Sequence, residues 1–353
     1  MVYMDTRIIC WNCRGAVNSR FWRNLKEIIR DNDPMILVLV ETRTSSDKGA
    51  RILRRFNFNQ MAFVEAQGFS GGIWMFWNDR EVEVEVVSTN WQIVNTVVKN
   101  RDGKEWLMSA IYASPEKELQ KLLWKYLQEL GEKVKFPWLL LGDFNEVVDS
   151  TEKRGGRRFV GEYSNSLIEC IQICELIDLG FSGPALTWNN CREGGANVRK
   201  RLDRVLCNGM WNLDYQKASV THLTRTHSDH HPIRVNTKRD DGQRGCSPFR
   251  VENAWFTHQD FYNQVDQSWN NNVDLLENVK IFTEKIGNWN REVFGNILRR
   301  KKRCQARING IQRSLSRQPS THLLGLEKKL IAEYNTILEQ EEIMWHQGRR
   351  WNG

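Results

Sequence analysis

Two hydrophobic periodicities take turns along the first 237 residues of this chain, and after that only one remains. Short continuous runs, IICW at residues 8–11, ILVLV at 36–40 and WLLL at 138–141, predict strands covered on both faces. Between them, apolar residues recur every three or four positions. Asn18 offers an N-cap to a helix carrying Phe21, Leu25, Ile28 and Ile29. Further helices are expected over 46–55, over 116–132 with Leu119, Leu123, Leu127 and Leu130 on one face, and over 164–177. Extended segments are predicted at 60–65, 71–77, 82–88, 91–99 and 105–112, and the paired glycines 71 and 72 mark a bulge or a close backbone approach. Strands separated by helices predict a layered α/β sandwich.

The polar residues that break this pattern fall at strand ends. Asn12 follows IICW, Glu41 follows ILVLV, and Tyr112 closes its strand; Asp143 and Asn145 follow WLLLG. Asp203 stands in RKRLDRVL, and Asp229 and His230 stand in THSDHHPI. Each has a plain structural reading: an Asx-turn after Gly142, a helix cap at Glu41, a core tyrosine, an aspartate paired with one of four flanking cations. Together they hold the parts for metal-assisted phosphodiester hydrolysis. Carboxylates and amides suit a hard Mg²⁺ ion, an acid can activate water, and a histidine can contact phosphoryl oxygens.

With 353 residues the chain exceeds one ordinary core, and two units are expected. The first covers 1–237, a polar hinge covers 238–247, and a helical tail covers 248–353. In the tail, Leu323, Leu326, Leu330, Tyr334, Ile337 and Met344 form a stripe typical of a helical hairpin or coiled coil, which makes self-association an expectation. The balance of 51 basic against 43 acidic residues, net +8, is compatible with a polyanionic partner. In KRGGRR at 153–158, read as a basic loop, Arg157 and Arg158 suit phosphate contact, and Trp188 is a candidate for stacking on bases. The RRKKR run at 299–303 reads as a nuclear signal, a nucleic-acid patch or a solvated helix face. Eight cysteines without a signal-peptide pattern predict reduced thiols in an intracellular protein, and Cys10 with Cys13 lacks the second pair a zinc site needs. No run approaches a membrane span.

In this order WN (Trp11, Asn12), ET (Glu41, Thr42), GDFN, RLD and SDHHPI resemble the endonuclease/exonuclease/phosphatase superfamily. WNCRG, GDFNEV, RKRLDR and SDHHPI are most similar to the apurinic-endonuclease-like domain of plant LINE-type (non-LTR) retrotransposons, over residues 6–237. The resemblance implies a four-layer fold, two mixed β-sheets packed face to face with helices outside. It implies a divalent ion, Mg²⁺ or Mn²⁺, on Glu41 with help from Asn12 and Asp229. Asp143 would orient or deprotonate the attacking water, and Asn145 would position it and the phosphate. His230, oriented by Asp203, would touch the scissile phosphate, and Tyr112 would contact the phosphate or the leaving oxygen. The repair enzymes carry an aspartate two positions after the WN asparagine; here Arg14 stands there and would bind phosphate instead. The segment from Pro248 resembles the linker that precedes reverse transcriptase, as in a piece of a longer polyprotein. The implied activity is DNA nicking by a nuclear protein. Phosphoinositide phosphatases and sphingomyelinases are rivals within the fold, and a catalytically inactive nucleic-acid- or protein-binding relic is the rival from another class.

Overall fold

The computed structural model describes residues 6–68, 70–100, 103–156, 166–237, 259–268, 281–282, 285, 301–318 and 320–349. Its strands in chain order are β1 (Arg7–Asn12), β2 (Ile36–Val40), β3 (Gln60–Gln67), β4 (Ser70–Trp77), β5 (Glu83–Asn90), β6 (Ile93–Lys99), β7 (Glu105–Tyr112), β8 (Trp138–Asp143), β9 (Lys153–Arg154), β10 (Ile177–Asp178), β11 (Trp188–Asn189), β12 (Arg199–Lys200), β13 (Asp203–Cys207), β14 (Ser219–His222) and β15 (Ile233–Asn236). The helices are α1 (Ser19–Asn32), α2 (Ser46–Arg55), α3 (Lys117–Lys133), α4 (Ser166–Ile173), α5 (Gly209–Asp214), α6 (Gln259–Ser268), α7 (residues 301–317) and α8 (Thr321–Arg349).

Two six-stranded sheets form, in the orders β14-β15-β1-β2-β4-β3 and β10-β13-β8-β7-β6-β5. Each has one parallel pair, β1 with β2 and β7 with β8, and in each the crossover is a single helix, α1 or α3. Alternation along the strands makes the layers. In β1, Ile8 and Cys10 join the core between the sheets while Ile9 and Trp11 join the cluster under α1 with Phe21 and Leu25. In β8, Leu139 and Leu141 face the other sheet, and Trp138 and Leu140 pack with Leu123, Trp124 and Leu127 of α3. The continuous apolar runs of the sequence are therefore strands buried on both faces, in the expected four-layer sandwich. Asn18 caps α1 as expected, its side chain accepting from the Phe21 N–H.

Two local expectations are corrected. The fourth helix stops at Ile173, and Ile177 begins β10. Helical spacing of apolar residues runs past the end because Glu175, at φ 50°, closes the helix in the left-handed conformation. The Leu176 N–H reaches the Ile171 carbonyl (2.9 Å) and the Glu175 N–H reaches Gln172 (3.2 Å), a Schellman closure. The start of KRGGRR is not loop but β9, the edge of a third, three-stranded sheet in the order β11-β12-β9.

The chain divides into two compact units, Met1–Asp240 with Asn309–Gly325, and Asp241–Ile308 with Leu326–Gly353. In the first, the Gln312 side chain clamps the Arg225 backbone, accepting its N–H (3.1 Å) and donating to its carbonyl (2.9 Å). In the second, the Cys304 thiol meets the Leu330 carbonyl at 3.2 Å, so α7 and α8 pair as a hairpin with Leu330, Tyr334 and Ile337 buried. Lys301, within the basic run at 299–303, is buried rather than solvated. The hinge expected at 238–247 lies outside the described residues, and so do Arg157 and Arg158.

Candidate active site

The two parallel strand pairs end at the same place. Asn12 is the last residue of β1, Glu41 follows β2, Tyr112 ends β7 and Asp143 ends β8. The carboxyl ends of parallel strands are where open α/β sheets put their ligands, and here two such ends face each other across the sandwich. Asp203 begins the antiparallel neighbour β13 directly opposite Asp143. Asp229 and His230 arrive on the loop before β15.

Turn chemistry sets the finer positions. Gly142 has φ +143°, and a Cβ there would lie 2.0 Å from the Ile111 carbonyl, so only glycine lets β8 lie this close to β7. The Asp143 carboxylate accepts the Asn145 N–H at 2.9 Å, an Asx-turn that swings the Asn145 amide to 3.4 Å from the other carboxylate oxygen. The plain structural reading and the functional one are thus the same turn. Glu41 itself has φ +57°. Its turn is held by Thr42 and Arg43 N–H groups donating to the carbonyls of Gly72 and Gly71. A Cβ on Gly72 would lie 2.3 Å from the Thr42 hydroxyl, which is the close approach the paired glycines predicted.

Asn12 is the hub. Its amide nitrogen donates to Glu41 (2.8 Å) and to Asp143 (2.9 Å), while its oxygen accepts the Arg14 N–H at 3.1 Å. His230 Nδ1 and Asp203 are 2.8 Å apart, and His230 Nε2 stands 3.8 Å from Asp143. Asp203 is anchored in turn by Thr187, whose hydroxyl accepts the Leu202 and Asp203 N–H groups. Ser228 ties the His230 loop to β1, donating to the Asn12 carbonyl (2.8 Å) and accepting the His230 N–H (3.1 Å). Asn12, Asp143, Asp203 and His230 are all below 5% exposed, so these bonds act in a low-dielectric setting.

Burial dominates the electrostatics of the group. It raises the Asp143 pKa to about 7, assisted by Asp203 and opposed by His230. For His230, burial disfavours the cation, but Asp203, Asp143 and Asp229 outweigh it and lift the pKa to about 10. The Tyr112 phenol is pushed well up by burial and by Glu41 and Asp143, so it stays neutral. An imidazolium held beside a carboxylate of near-neutral pKa offers a proton donor and a proton acceptor side by side.

The sequence profile described as the endonuclease/exonuclease/phosphatase family matches residues 9–230, well over half of the chain. The chain belongs to this family. No curated protein matches it. Among solved structures, the AP endonuclease LMAP from Leishmania major is similar at 15% identity, covering 67% of this chain and 88% of that one, with a TM-score of 0.53. The endonuclease domain of TRAS1, a telomere-specific non-LTR retrotransposon, covers 67% of this chain and 100% of its own at 15% identity and a TM-score of 0.48. The 3'-5' exonuclease NExo from Neisseria meningitidis covers 65% and 98% at 17% identity and 0.47.

In this family member two arginines stand on the carboxylates. Arg43 pairs with Glu41, and Arg14 pairs with Asp229 at 2.5 Å, beside the Trp188 indole N–H at 2.9 Å from the same oxygen. Arg43, Thr187 and Ser228 had no role assigned from the sequence; the only signals were that Arg43 directly follows the ET segment, that Thr187 directly precedes Trp188 and that Ser228 lies within SDHHPI. His231, which the pattern left without a role, packs: its Nδ1 lies 2.7 Å from the Leu223 carbonyl, and burial drives its pKa down. Cys10 and Cys13 are buried free thiols, and burial pushes Cys13 up to about 12.

The donor set fits a hard divalent cation. Glu41 and Asp143 present carboxylate oxygens on either side of the Asn12 amide, and Glu41 already attracts a guanidinium. Ligand-capable atoms of Asp143, Asp203 and His230 also lie within 4.8 Å of one another. In that trio the His230 Nδ1 and Asp203 are engaged with each other, which leaves the Glu41 side the better seat for a divalent cation.

Proposed function

We propose that the protein is a Mg²⁺-dependent DNA endonuclease that nicks one strand by phosphodiester hydrolysis, of the kind carried by plant LINE-type retrotransposons. The observation that carries this reading is the buried Asp203–His230–Asp143 alignment, with Asn145 turned onto the same carboxylate and Glu41 joined to it through Asn12. Glu41, with Asn12 and Asp229, would hold the ion, which when bound supplies Lewis-acid polarisation of the phosphodiester. Asp143 accepts the proton of the attacking water, and its pKa of about 7 suits that task near neutrality. The Asn145 amide orients water and phosphate. His230, kept protonated by Asp203, donates from Nε2 to a phosphoryl oxygen. Tyr112 donates its phenolic proton toward the phosphate or the leaving oxygen. Mn²⁺ is expected to substitute, a nuclear location follows from the DNA substrate, and self-association is assigned to the α7–α8 hairpin. Among the described residues no helix is long and apolar enough to cross a membrane.

The test is nicking of supercoiled plasmid by purified protein with Mg²⁺, beside EDTA and His230→Ala. Relaxed circles from the wild type alone support the reading; folded protein that nicks under no condition overturns it. One observation favours the rival, an inactive relic that binds without cutting: Glu41 and Asp229 both carry an arginine. In that case DNA binding persists while added Mn²⁺ leaves the protein's melting temperature unmoved.

A further inference from the structure

Asp229 and His230 sit on the loop 224–231, whose ends are held together by the Leu223 N–H donating to the Pro232 carbonyl at 2.8 Å. A closed loop of this kind has no strand ladder to fix it, so its position depends on the bonds made to it. Thr226 ties it to α1 through Asn24 (2.6 Å), and Ser228 ties it to β1 through the Asn12 carbonyl. Another tether comes from 87 residues further along the chain.

Gln312, on α7, is buried, and its amide takes both backbone groups of Arg225. The oxygen accepts the Arg225 N–H at 3.1 Å, and the nitrogen donates to the Arg225 carbonyl at 2.9 Å. Buried backbone groups need partners, and a primary amide serves a donor and an acceptor of one residue at once, as a neighbouring strand would. Beside the buried Ile311 and Leu315, an apolar side chain would suffice for packing the helix; the amide serves the loop. Residues 309–325 lie where the sequence predicts a helical tail, yet they belong to the same compact unit as the two sheets.

Arg225, held in this way, passes the restraint on. Its guanidinium donates to the Ser228 carbonyl at 3.3 Å, and the Ser228 hydroxyl accepts the His230 N–H at 3.1 Å. A second line leaves α7 three residues later. The Leu315 carbonyl accepts from the Arg199 guanidinium, which also donates to the Asn197 oxygen (2.9 Å). The Asn197 amide donates to the Asn189 side chain (2.7 Å), and the Asn189 N–H donates to the Asp229 carbonyl (3.0 Å). The two lines start on one helix and end on adjacent residues of the site. Their members are at most 7% exposed, so water does not stand in for a lost bond.

We propose that Gln312 is a positioning residue for this loop: residues 309–317 of the helical tail brace it, so that Asp229 and His230 stand where the reaction needs them. The consequence for rate rests on the nuclease reading; the brace itself does not. Misplacing a reacting group by about 1 Å costs on the order of a hundredfold, so a loosened loop shows in kcat.

The experiment compares the full-length wild type with three variants. Gln312→Leu removes both bonds at similar volume, and Gln312→Glu keeps the acceptor for the Arg225 N–H. Ile311→Ala removes buried packing on the same helix. Hydrogen–deuterium exchange in EDTA reads the loop, and plasmid nicking in Mg²⁺ reads the rate. Gln312→Leu is expected to speed amide exchange across 224–231 about tenfold or more, and Gln312→Glu about threefold to fivefold. Ile311→Ala changes exchange there no more than it does in β1 and β8. In nicking, Gln312→Leu lowers kcat about tenfold to a hundredfold with KM within about twofold, Gln312→Glu lies between, and Ile311→Ala keeps the wild-type kcat. Wild-type loop exchange in Gln312→Leu, or an equal loosening in Ile311→Ala, overturns the proposal. Where Gln312→Leu does not fold, Gln312→Glu carries the same test, and wild-type loop exchange in it overturns the proposal. A loosened loop with unchanged kcat, in a protein that nicks, overturns the positioning role. A loosened loop in a protein that nicks under no condition leaves the brace standing and overturns the nuclease reading alone.

Discussion

Replacing Asp203 by asparagine keeps the shape of the side chain and removes the charge on which His230 depends. In the wild type the imidazole pKa is lifted from 6.5 to about 10, against a burial effect that works the other way. At about 1.4 kcal/mol per decade of acidity, that lift corresponds to on the order of 5 kcal/mol of preference for the imidazolium. Asp203 is the largest of the groups that raise it, and it is the one bonded at 2.8 Å. Without that charge the burial effect is opposed only by Asp143 and Asp229, and the pKa is expected at 6.5 or below. At pH 8 the wild-type ring is then almost wholly protonated, whereas about one variant molecule in thirty is. That alone is a thirtyfold loss of kcat, and loss of charge-fixed orientation extends it to about 10²–10⁴. Two assays check this. A nuclear magnetic resonance titration of the His230 ring without divalent ion reads the pKa directly. The pH profile of nicking should show the variant's alkaline limb displaced by several pH units toward acid, with part of the lost rate returning at pH 6. A His230 pKa unchanged in Asp203→Asn, or two pH profiles that run parallel, would refute the reasoning.

Three further outcomes follow from the same geometry. Arg204, fully buried, pairs with Glu152, so Arg204→Ala leaves that carboxylate short of a partner and should cost about 3–5 kcal/mol in urea unfolding; a loss below about 1 kcal/mol would contradict it. Arg43 is a tethered cation on Glu41, so Arg43→Gln should tighten Mn²⁺ binding measured by electron paramagnetic resonance, and unchanged affinity would show that Arg43 does not compete with the ion. Asp143 and His230 both have raised pKa values in the folded state, so their contribution is complete below their unfolded values and is lost as pH rises. Below about pH 6.5 the buried His222 and His231, whose pKa values burial lowers, oppose the Asp143 contribution, so the test window for the metal-free protein is about 6.5 to 10; stability should fall there, and a urea midpoint that rises across it would count against the His230 assignment.

The layered fold was legible because a residue's face is a local property of its strand. ILVLV and WLLL announce strands with no exposed side, and such strands have their neighbours on both faces. The site residues were legible for a related reason: a polar group directly after such a run has been placed by a rigid element, whatever its partner. Asn12, Glu41, Asp143 and Asn145 were found this way. The pattern of apolar residues failed at Ile177, where Glu175 turned the backbone into a conformation that spacing does not encode.

Pairing across long sequence separations was not legible. In RKRLDR four cations surround Asp203, and adjacency suggests that one of them takes its charge. Instead Arg201 and Arg204 turn to Glu152 and Asp178, Arg199 turns to Asn197 and the Leu315 carbonyl, and Asp203 is left to His230. The reason is alternation. Asp203 and Arg204 are neighbours on β13 and point to opposite faces, so the charge nearest in sequence is on the wrong side of the sheet. The same rule separates Lys200 from Arg199 and gives one basic run two fates, one cation bonded to neutral groups and the other left facing Trp188 beside the site. Basic residues in such a run therefore carry information about a polyanion only after the register has assigned each to a face.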